Sequence, residues 1–313
     1  MALSGYLEPV LRQRRLLVPS TWPPLCVLHL SDLHVRRSDP EGVRRQIRAL
    51  ARLERVPDLV CVTGDLCEQL PDAPLVADVL RGLRPRLGTF LILGNHEYGA
   101  GAPKGGGVRK GLVSWAIGAM YRSVVSSSVA EGEAIAAALS ELQLRVLCNA
   151  GLRVWVGGRP LWLAGVDSGW VGRADVSAAM RGRRADEGAL VLVHEPEQAF
   201  PAVEHGADVV LAGHTHGGQV RLPGLGAPYW HRRDARLNVP AGVQSIAAAQ
   251  LHISAGMGQL IPLRFRCPPE LVWLDCVPVP SIAPPVVPGK QVPALPSRTM
   301  SGVYASIGTS VPR

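Results

Sequence analysis

Five short groups of polar residues, each directly after a run of apolar residues, are the parts of the sequence that could do chemistry. In chain order they are Asp32-Leu33-His34, Gly64-Asp65, Gly94-Asn95-His96-Glu97, His194 and Gly213-His214-Thr215-His216. Imidazoles, carboxylates and one amide suit borderline divalent ions such as Mn, Fe, Zn or Ni. Two ions ~3.5–4 Å apart need a bridging group, and Asp65, alone after its strand, is the natural bridge. The groups predict a binuclear metal site.

The apolar runs alternate with helical patterns, which predicts a mixed α/β domain with a buried sheet core. The capping sequence Ser38-Asp39-Pro40-Glu41 predicts the start of a helix. Further helices are expected at 73–83 and 133–142, and strands at 25–30, 59–63, 89–93, 145–148, 153–156, 160–164, 189–193, 208–211, 250–254 and 271–276. The polar groups therefore follow strands, and the crevice beyond strand carboxyl ends is where such sheets bind ligands.

Composition limits the classes of function. The 313 residues carry a formal net charge of +8, which indicates an anionic partner or an arginine-rich composition alone. The arginines are scattered, so nucleic acid is not favoured. The six cysteines include no C-x-x-C pair, and Cys26 and Cys61 lie in apolar runs, which suits a reducing compartment. We find no apolar run of ~20 residues and no signal peptide, so a cytoplasmic protein is expected.

The chain is expected to divide into an N-terminal arm at 1–24, a catalytic domain at 25–276 and a Pro-rich, disordered tail at 277–313. An insertion at about 99–125 interrupts the domain. It begins with a glycine-rich loop and continues at 108–125 as an apolar segment with basic ends. Such a segment suits a helix lying in a membrane interface or a lid over an apolar pocket. An ordinary buried helix is the alternative, and both remain open.

The five groups match, in order, the motifs D-x-H, G-D, G-N-H-[DE], H and G-H-x-H, and the chain from about residue 25 to 276 resembles the calcineurin-like metallophosphoesterase superfamily. The resemblance implies a four-layer αββα sandwich with a binuclear metal site at the carboxyl ends of its strands. Longer strings at 29–34, 194–196, 213–223 and 262–270 are similar to bacterial membrane-associated phosphodiesterases, some of which act as UDP-diacylglucosamine pyrophosphatases in lipid A synthesis.

The resemblance also implies a role for each matching residue. The first ion would be held by Asp32, His34, Asp65 and His216. The second ion would be held by Asp65, Asn95, His194 and His214. His96 would bind no metal but would stabilise phosphoryl charge and protonate the leaving oxygen. A hydroxide bridging the two ions, manganese among the candidates, would attack phosphorus in line.

The sequence therefore predicts a phosphodiesterase or pyrophosphatase whose substrate is a phosphoester, with a nucleotide-linked lipid as one candidate and peripheral inner-membrane contact through 108–125. A metal-dependent nuclease or cyclic-nucleotide phosphodiesterase is the alternative, and a non-catalytic scaffold would require lost ligands, of which there are none. Three further residues are open: His29 as a core or site residue, Glu97 as a support for the ligands or a surface carboxylate, and Arg221 as a phosphate ligand or a strand-edge residue.

Overall fold

The computed structural model describes residues 7–99, 128–228, 230, 232–259 and 263–280. The segment expected at 108–125, nearly all of the 99–125 insertion and residues 281–313 of the expected tail lie outside the described residues. Within the described ranges, none of the helices combines the length and the apolar character needed to cross a membrane.

Two six-stranded sheets form the centre of the molecule. The first contains, in spatial order, β1 (Val10–Pro19), β12 (Glu270–Val279), β2 (Leu25–Leu30), β3 (Leu59–Thr63), β4 (Gly88–Ile92) and β5 (Arg145–Val146). The second contains β10 (Gly242–Ile246), β11 (Ala249–Ile253), β9 (Val209–Ala212), β8 (Gly188–Leu192), β7 (Arg159–Gly165) and β6 (Ala150–Val156). Strands β2 to β5 are parallel, as are β7, β8, β9 and β11. Both sheets are mixed, because β12 runs antiparallel to β2, and β6 and β10 run antiparallel to β7 and β11.

Helices cover the outer face of each sheet. The first sheet packs against α1 (Pro40–Ala51), α2 (Ala73–Leu80) and α3 (Val129–Glu141), and the second against the short helices α4 (Val176–Ala179) and α5 (Ala199–Glu204). Helix α1 begins where the capping sequence predicts, since the Asp39 side chain accepts a hydrogen bond from the Gly42 amide. The predicted four-layer αββα sandwich is confirmed.

Alternation along the strands explains the layers. In β3, Leu59 and Cys61 face the second sheet while Val60 and Val62 face the helices, because successive side chains of a strand point to opposite faces. These central strands are apolar on both faces and have no exposed side, as expected of parallel strands covered by a sheet and by helices. Their rigid packing fixes the places where the polar groups emerge.

Two edge strands were not predicted. Strand β1 lies inside the expected N-terminal arm, and β10 follows a polar loop. Edge strands tolerate charged residues, so β1, with three arginines among its ten residues, lacks the apolar signal that identifies the central strands. Strand β12 also continues to Val279, three residues into the expected tail, because β1 pairs with it along its whole length.

Candidate metal centre

The five polar groups meet where strands from both sheets end. Strands β2, β3 and β4 of the first sheet and β8 and β9 of the second lead directly into them. One cluster of side chains whose ligand atoms lie within 4.8 Å of one another contains Asp32, His34, Asp65 and His216, and a second contains Asp65, His194 and His214. Asp65 belongs to both clusters. All of these residues are buried.

Distances within the clusters suit shared cations. The Nε2 atoms of His34 and His216 are 3.1 Å apart, and His194 Nε2 lies 3.2 Å from Asp65 Oδ2. His214 Nδ1 lies 3.0 Å from Asn95 Oδ1 and 3.3 Å from His194 Nε2. Asn95, the one amide among the predicted ligands, therefore joins the second cluster.

Backbone conformation marks the same residues. Asp32, His34, Asp65, His214 and His216 have φ values of 50°, 44°, 51°, 69° and 49°. A positive φ is unfavourable for a residue with a Cβ, and such strain concentrates at functional sites. Asp32 and His34 are two positions apart, and both side chains enter the same cluster.

Glycines keep the centre compact. A Cβ at Gly64, whose φ is +79°, would come within 2.5 Å of His194 Nδ1, and a Cβ at Gly94 would come within 2.2 Å of Asp65 Oδ1. Both values are far below a normal contact, so any larger residue would displace a predicted ligand. The glycines of the G-D and G-N-H-E groups are thus required in this chain for steric reasons.

Hydrogen bonds fix how two imidazoles face the centre. His194 Nδ1 lies 2.7 Å from the Thr63 carbonyl and donates to it, which leaves Nε2 to point at Asp65. His34 Nδ1 lies 2.7 Å from Glu68 Oε1, which leaves Nε2 to point at His216. Metal-binding histidines commonly use the second ring nitrogen in this way, since the outer contact selects the tautomer and holds the ring.

Glu68 is a site residue that the sequence analysis missed. Its second oxygen, Oε2, lies 2.9 Å from Nδ1 of His96, so one buried carboxylate holds both His34 and His96. His96 Nε2 then lies 3.9 Å from Asp65 Oδ2, at the edge of the clusters. A signal was present, because Glu68 is a charged residue only three positions after Asp65, in the same strand-end segment.

Glu97 supports the ligands and is not a surface carboxylate. It is fully buried. One oxygen accepts hydrogen bonds from the amides of Leu66 and Cys67, and the other accepts from the Gly94 amide at 2.7 Å. Glu97 therefore ties the segment after β3 to the segment after β4, and so fixes Asp65 relative to Asn95.

The buried carboxylates of the centre need nearby positive charge to offset their own. Burial alone would raise the pKa of the Asp65 carboxyl, but the His194 and His96 imidazoles hold that pKa well below its usual range. Burial opposes a charge on His96, yet Asp65 and Glu68 raise the pKa of His96 to about 9. In the chain without metal, protons on histidines offset the buried carboxylates. A divalent cation would take over that role, so the donor set fits the metal site that the sequence predicts.

A segment after β7 borders the second cluster. The ring centroid of Trp170 lies 4.9 Å from that of His214, and the Arg233 guanidinium lies 3.5 Å from the Trp170 centroid. Glu195 orders this segment by accepting hydrogen bonds from the Ser168 hydroxyl and the Gly169 and Trp170 amides. Trp170 was not predicted as a site residue, because nothing in its spacing links it to the motifs.

Other histidines lie apart from the centre. His29 and His252 are buried between the two sheets, with their Nδ1 atoms 2.9 Å apart, and His29 Nε2 lies 2.9 Å from the Thr63 hydroxyl. His29 is therefore a core residue. His205 is exposed after α5, and His231 is outside the described residues.

The sequence matches the calcineurin-like phosphoesterase family over residues 26–218. The chain belongs to this family. That span begins in β2 and ends two residues beyond His216, so it contains all five polar groups. The chain is accordingly a metallophosphoesterase, a metal-dependent hydrolase with a candidate binuclear His/Asp site, and family membership implies a phosphoester substrate.

Several curated relatives in this family align with most of the chain. Phosphodiesterase YaeI of Escherichia coli (strain K12) is 28% identical over 278 residues, which cover 87% of this chain and 91% of the relative. The UDP-2,3-diacylglucosamine pyrophosphatase LpxG of Chlamydia trachomatis is 22% identical over 286 residues, covering 81% and 84%. The uncharacterized metallophosphoesterase YkuE of Bacillus subtilis is 26% identical over 285 residues, covering 85% and 86%.

Proposed function

We propose that this metallophosphoesterase uses two divalent ions, from among Mn, Fe, Zn and Ni, to hydrolyse a phosphodiester or pyrophosphate bond. The observation that carries the proposal is the sharing of Asp65 between two ligand clusters. Asp32, His34, Asp65 and His216 would hold the first ion, and Asp65, Asn95, His194 and His214 the second. Two ions so placed supply a water of lowered pKa for attack on phosphorus and positive charge for the phosphoryl oxygens.

His96 is proposed as the residue that delivers a proton. Glu68 fixes its Nδ1, and its Nε2 faces the clusters from 3.9 Å away from Asp65 Oδ2. That atom could hydrogen-bond a phosphoryl oxygen and protonate the leaving oxygen as the bond to phosphorus breaks. Glu68 would act through His96 and His34, as a positioning residue.

The substrate that we propose is a nucleotide-linked lipid. Support comes from the chlamydial relatives, whose names identify them as UDP-2,3-diacylglucosamine pyrophosphatases, and from the net charge of +8, which suits an anionic substrate at an acidic surface. We further propose that the chain works in the cytoplasm, in peripheral contact with the inner membrane. Its six cysteines are all free, in keeping with a reducing compartment.

A substrate panel tests both levels of this proposal. The Mn-loaded chain is offered UDP-2,3-diacylglucosamine, bis-p-nitrophenyl phosphate, a cyclic nucleotide and single-stranded DNA, and the products are separated by chromatography. We expect metal-dependent hydrolysis of the model diester and a higher kcat/KM for the nucleotide-linked lipid. If DNA or the cyclic nucleotide were cleaved with the higher kcat/KM, the proposed substrate would be that compound and not the nucleotide-linked lipid. No hydrolysis of any compound with any of the four metals would contradict the enzyme assignment itself.

A further inference from the structure

A cavity of about 250 Å³ opens between the two sheets, away from the predicted metal ligands. Its charged and polar lining consists of Arg12, Arg14, Arg221, Arg266, Glu270 and His252. We call it the arginine cavity. The proposed mechanism uses none of these residues.

Strand β1 aims two of the arginines into the space between the sheets. Leu16 and Val18 of this strand pack in the apolar layer between the sheets. Because the side-chain period of a strand is two, Arg12 and Arg14 lie on that same inward face. The layer between the sheets therefore changes from apolar to cationic toward the start of β1.

The start of β1 lies at the end of the sandwich that carries the metal centre. In the register of the sheet, Arg12 is opposite Val272 of β12, and Val272 is opposite His29 of β2. His29 comes only three residues before Asp32. The arginine cavity and the predicted metal site are thus neighbours along the same edge.

Two loops supply the other arginines, Arg221 and Arg266, and backbone hydrogen bonds join the two loops. The Arg221 amide donates to the Phe265 carbonyl at 2.9 Å, and the Phe265 amide donates to the Gln219 carbonyl at 2.9 Å. These loops belong to the strings at 213–223 and 262–270 that the sequence analysis singled out and that the metal centre only partly uses. Arg221 is held further by its Nε, which donates to the Gly217 carbonyl at 3.1 Å.

The cavity carries an excess of positive charge. Four guanidinium groups face one carboxylate, Glu270, among the described lining residues. Glu270 approaches Arg12 only to 3.8 Å and accepts a hydrogen bond from the Ala255 amide at 2.9 Å. Burial, together with the charge of Arg14, lowers the pKa of His252 to about 3, so His252 is neutral and offers a hydrogen bond without adding charge.

Backbone separates the cavity from the metal centre. Ala255 lines the cavity, and a Cβ on the next residue, Gly256, would come within 2.9 Å of Asp32 Cβ. Cys267, also in the lining, places its Sγ 3.5 Å from the His216 carbonyl. An anion in the cavity would sit behind the ligands of the first ion, so it cannot be the phosphate that is hydrolysed.

We propose that the arginine cavity binds the phosphate group of a second anion, which is recognised without being cleaved. Arginine forks suit phosphate oxygens. The volume is below the ~300–1,000 Å³ of pockets for drug-sized ligands, so the cavity has room for a phosphate group but not for a whole nucleotide-linked lipid. That group could belong to a soluble phosphate compound or to a lipid headgroup at a membrane surface.

Two neighbouring arginines of β1 provide a matched test. Both side chains are exposed, but Arg14 lines the cavity, whereas Arg15 lies on the opposite face of the same strand. Inorganic phosphate is titrated calorimetrically into the metal-loaded chain and its variants, and vesicles of phosphatidylcholine with and without phosphatidylglycerol are tested by cosedimentation. We expect Arg14→Gln to weaken the phosphate site or the phosphatidylglycerol-dependent binding at least ~10-fold, and Arg15→Gln to change either less than ~2-fold.

Each outcome decides the proposal. An effect confined to phosphate identifies a soluble ligand, and one confined to vesicles identifies a lipid headgroup. Equal effects of Arg14→Gln and Arg15→Gln would indicate only general charge attraction and would overturn the proposed site. Complete loss of phosphate binding in Asp65→Asn would also overturn it, because the phosphate would then bind at the metal centre. If Arg14→Gln fails to fold by circular dichroism, Arg266→Gln in the exposed loop replaces it. Asp65→Asn should abolish hydrolysis and keep the cavity site, so failure of this proposal is separable from failure of the enzymatic one.

Discussion

The two sheets contribute different chemistry to one centre. The segments after the strands of the first sheet carry four of the buried carboxylates around the site, Asp32, Asp65, Glu68 and Glu97. The segments after β8 and β9 of the second sheet contribute imidazoles, from His194, His214 and His216. The carboxylates among the predicted ligands therefore come from the first sheet, whereas the second contributes only imidazoles to the predicted ligand set.

Orientation follows the same division. The first sheet holds residues that follow strands of the second, since the Thr63 carbonyl accepts the Nδ1 proton of His194 and the Asp32 carboxylate accepts a hydrogen bond from the His214 backbone amide at 3.1 Å. Glu195, the carboxylate next to His194, instead bonds to the segment after β7 within its own half. We therefore expect the first sheet to determine whether metal binds, and the second to complete each coordination shell.

The largest expected effect is that of Asp65→Asn, compared with His214→Ala. Asp65 lies in both clusters, whereas His214 lies in one, so the first variant should lose both ions and the second should retain one. Hydrolysis by Asp65→Asn should fall by more than the ~10–100-fold typical of losing an outer contact of a ligand. Bound metal is counted by plasma mass spectrometry, and activity is followed with bis-p-nitrophenyl phosphate.

Asp78→Asn serves as the control for Asp65→Asn. Asp78 is a carboxylate of α2 whose side chain is 41% exposed and pairs with Arg81 on the surface, so metal content and activity should match the unaltered chain. If His214→Ala lost both ions, the division between the sheets would be wrong, and the centre would be one cooperative unit.

A smaller effect is expected on metal affinity, which should differ between Glu68→Gln and Glu195→Gln. Glu68 holds His34 and His96 at 2.7 and 2.9 Å, so its substitution should weaken metal affinity ~10–100-fold. Glu195→Gln should change metal affinity less, because its contacts are to Ser168, Gly169 and Trp170. Competition with a fluorescent chelator measures both affinities.

Glu68→Gln also distinguishes positioning from plain structural support. If Glu68 orients His96, the variant with saturating metal should still show a lower kcat and an altered pH profile, while the melting temperature stays within a few degrees. A loss confined to thermal stability, with kcat restored by metal, would assign Glu68 a structural role only. Equal metal affinities of the Glu68 and Glu195 variants would remove the asymmetry between the sheets.

The sequence predicts the central strands and the clustering of the polar groups because both rest on strong local signals. Apolar runs that end in Asp or His, as at Leu25–Leu30 before Asp32, identify buried parallel strands and the edge where their residues meet. The roles of individual ligands and of His96 remain predictions that metal-loaded protein must test.

Features that depend on distant contacts carry only a weak local signal in the sequence. Glu68 resembles any charged loop residue until the fold brings His34 and His96 to its two oxygens. Strand β1 is defined by its pairing with β12, more than 250 residues later, and without that partner its arginines resemble a polar arm. The arginine cavity has the same origin, because its charge is assembled from β1 and two separate loops.

The last expected effect is on stability and not on activity, and it concerns the contact between the two sheets at His29 and His252. Burial lowers the pKa of His252 to about 3, below the ~6.5 of an unfolded histidine. Above pH 6.5 neither state binds a proton there, and the contribution of the neutral pair to stability is fully present. As the pH falls from 6.5 toward 3, the unfolded chain gains a proton that the folded chain refuses, so stability is lost at up to ~1.4 kcal/mol per pH unit.

His252→Gln should therefore flatten the decline of the unfolding free energy between pH 6.5 and 4, while costing about 1 kcal/mol at pH 7 through the lost contact with His29. Urea unfolding followed by circular dichroism across this range measures both quantities, and His205→Gln, which removes an exposed imidazole, is the matched control. An unchanged slope in His252→Gln would mean that the metal centre, with its own buried histidines, determines the acid sensitivity. In that case only the metal centre would link the titration of the two sheets to stability, and the contact between His29 and His252 would contribute packing alone.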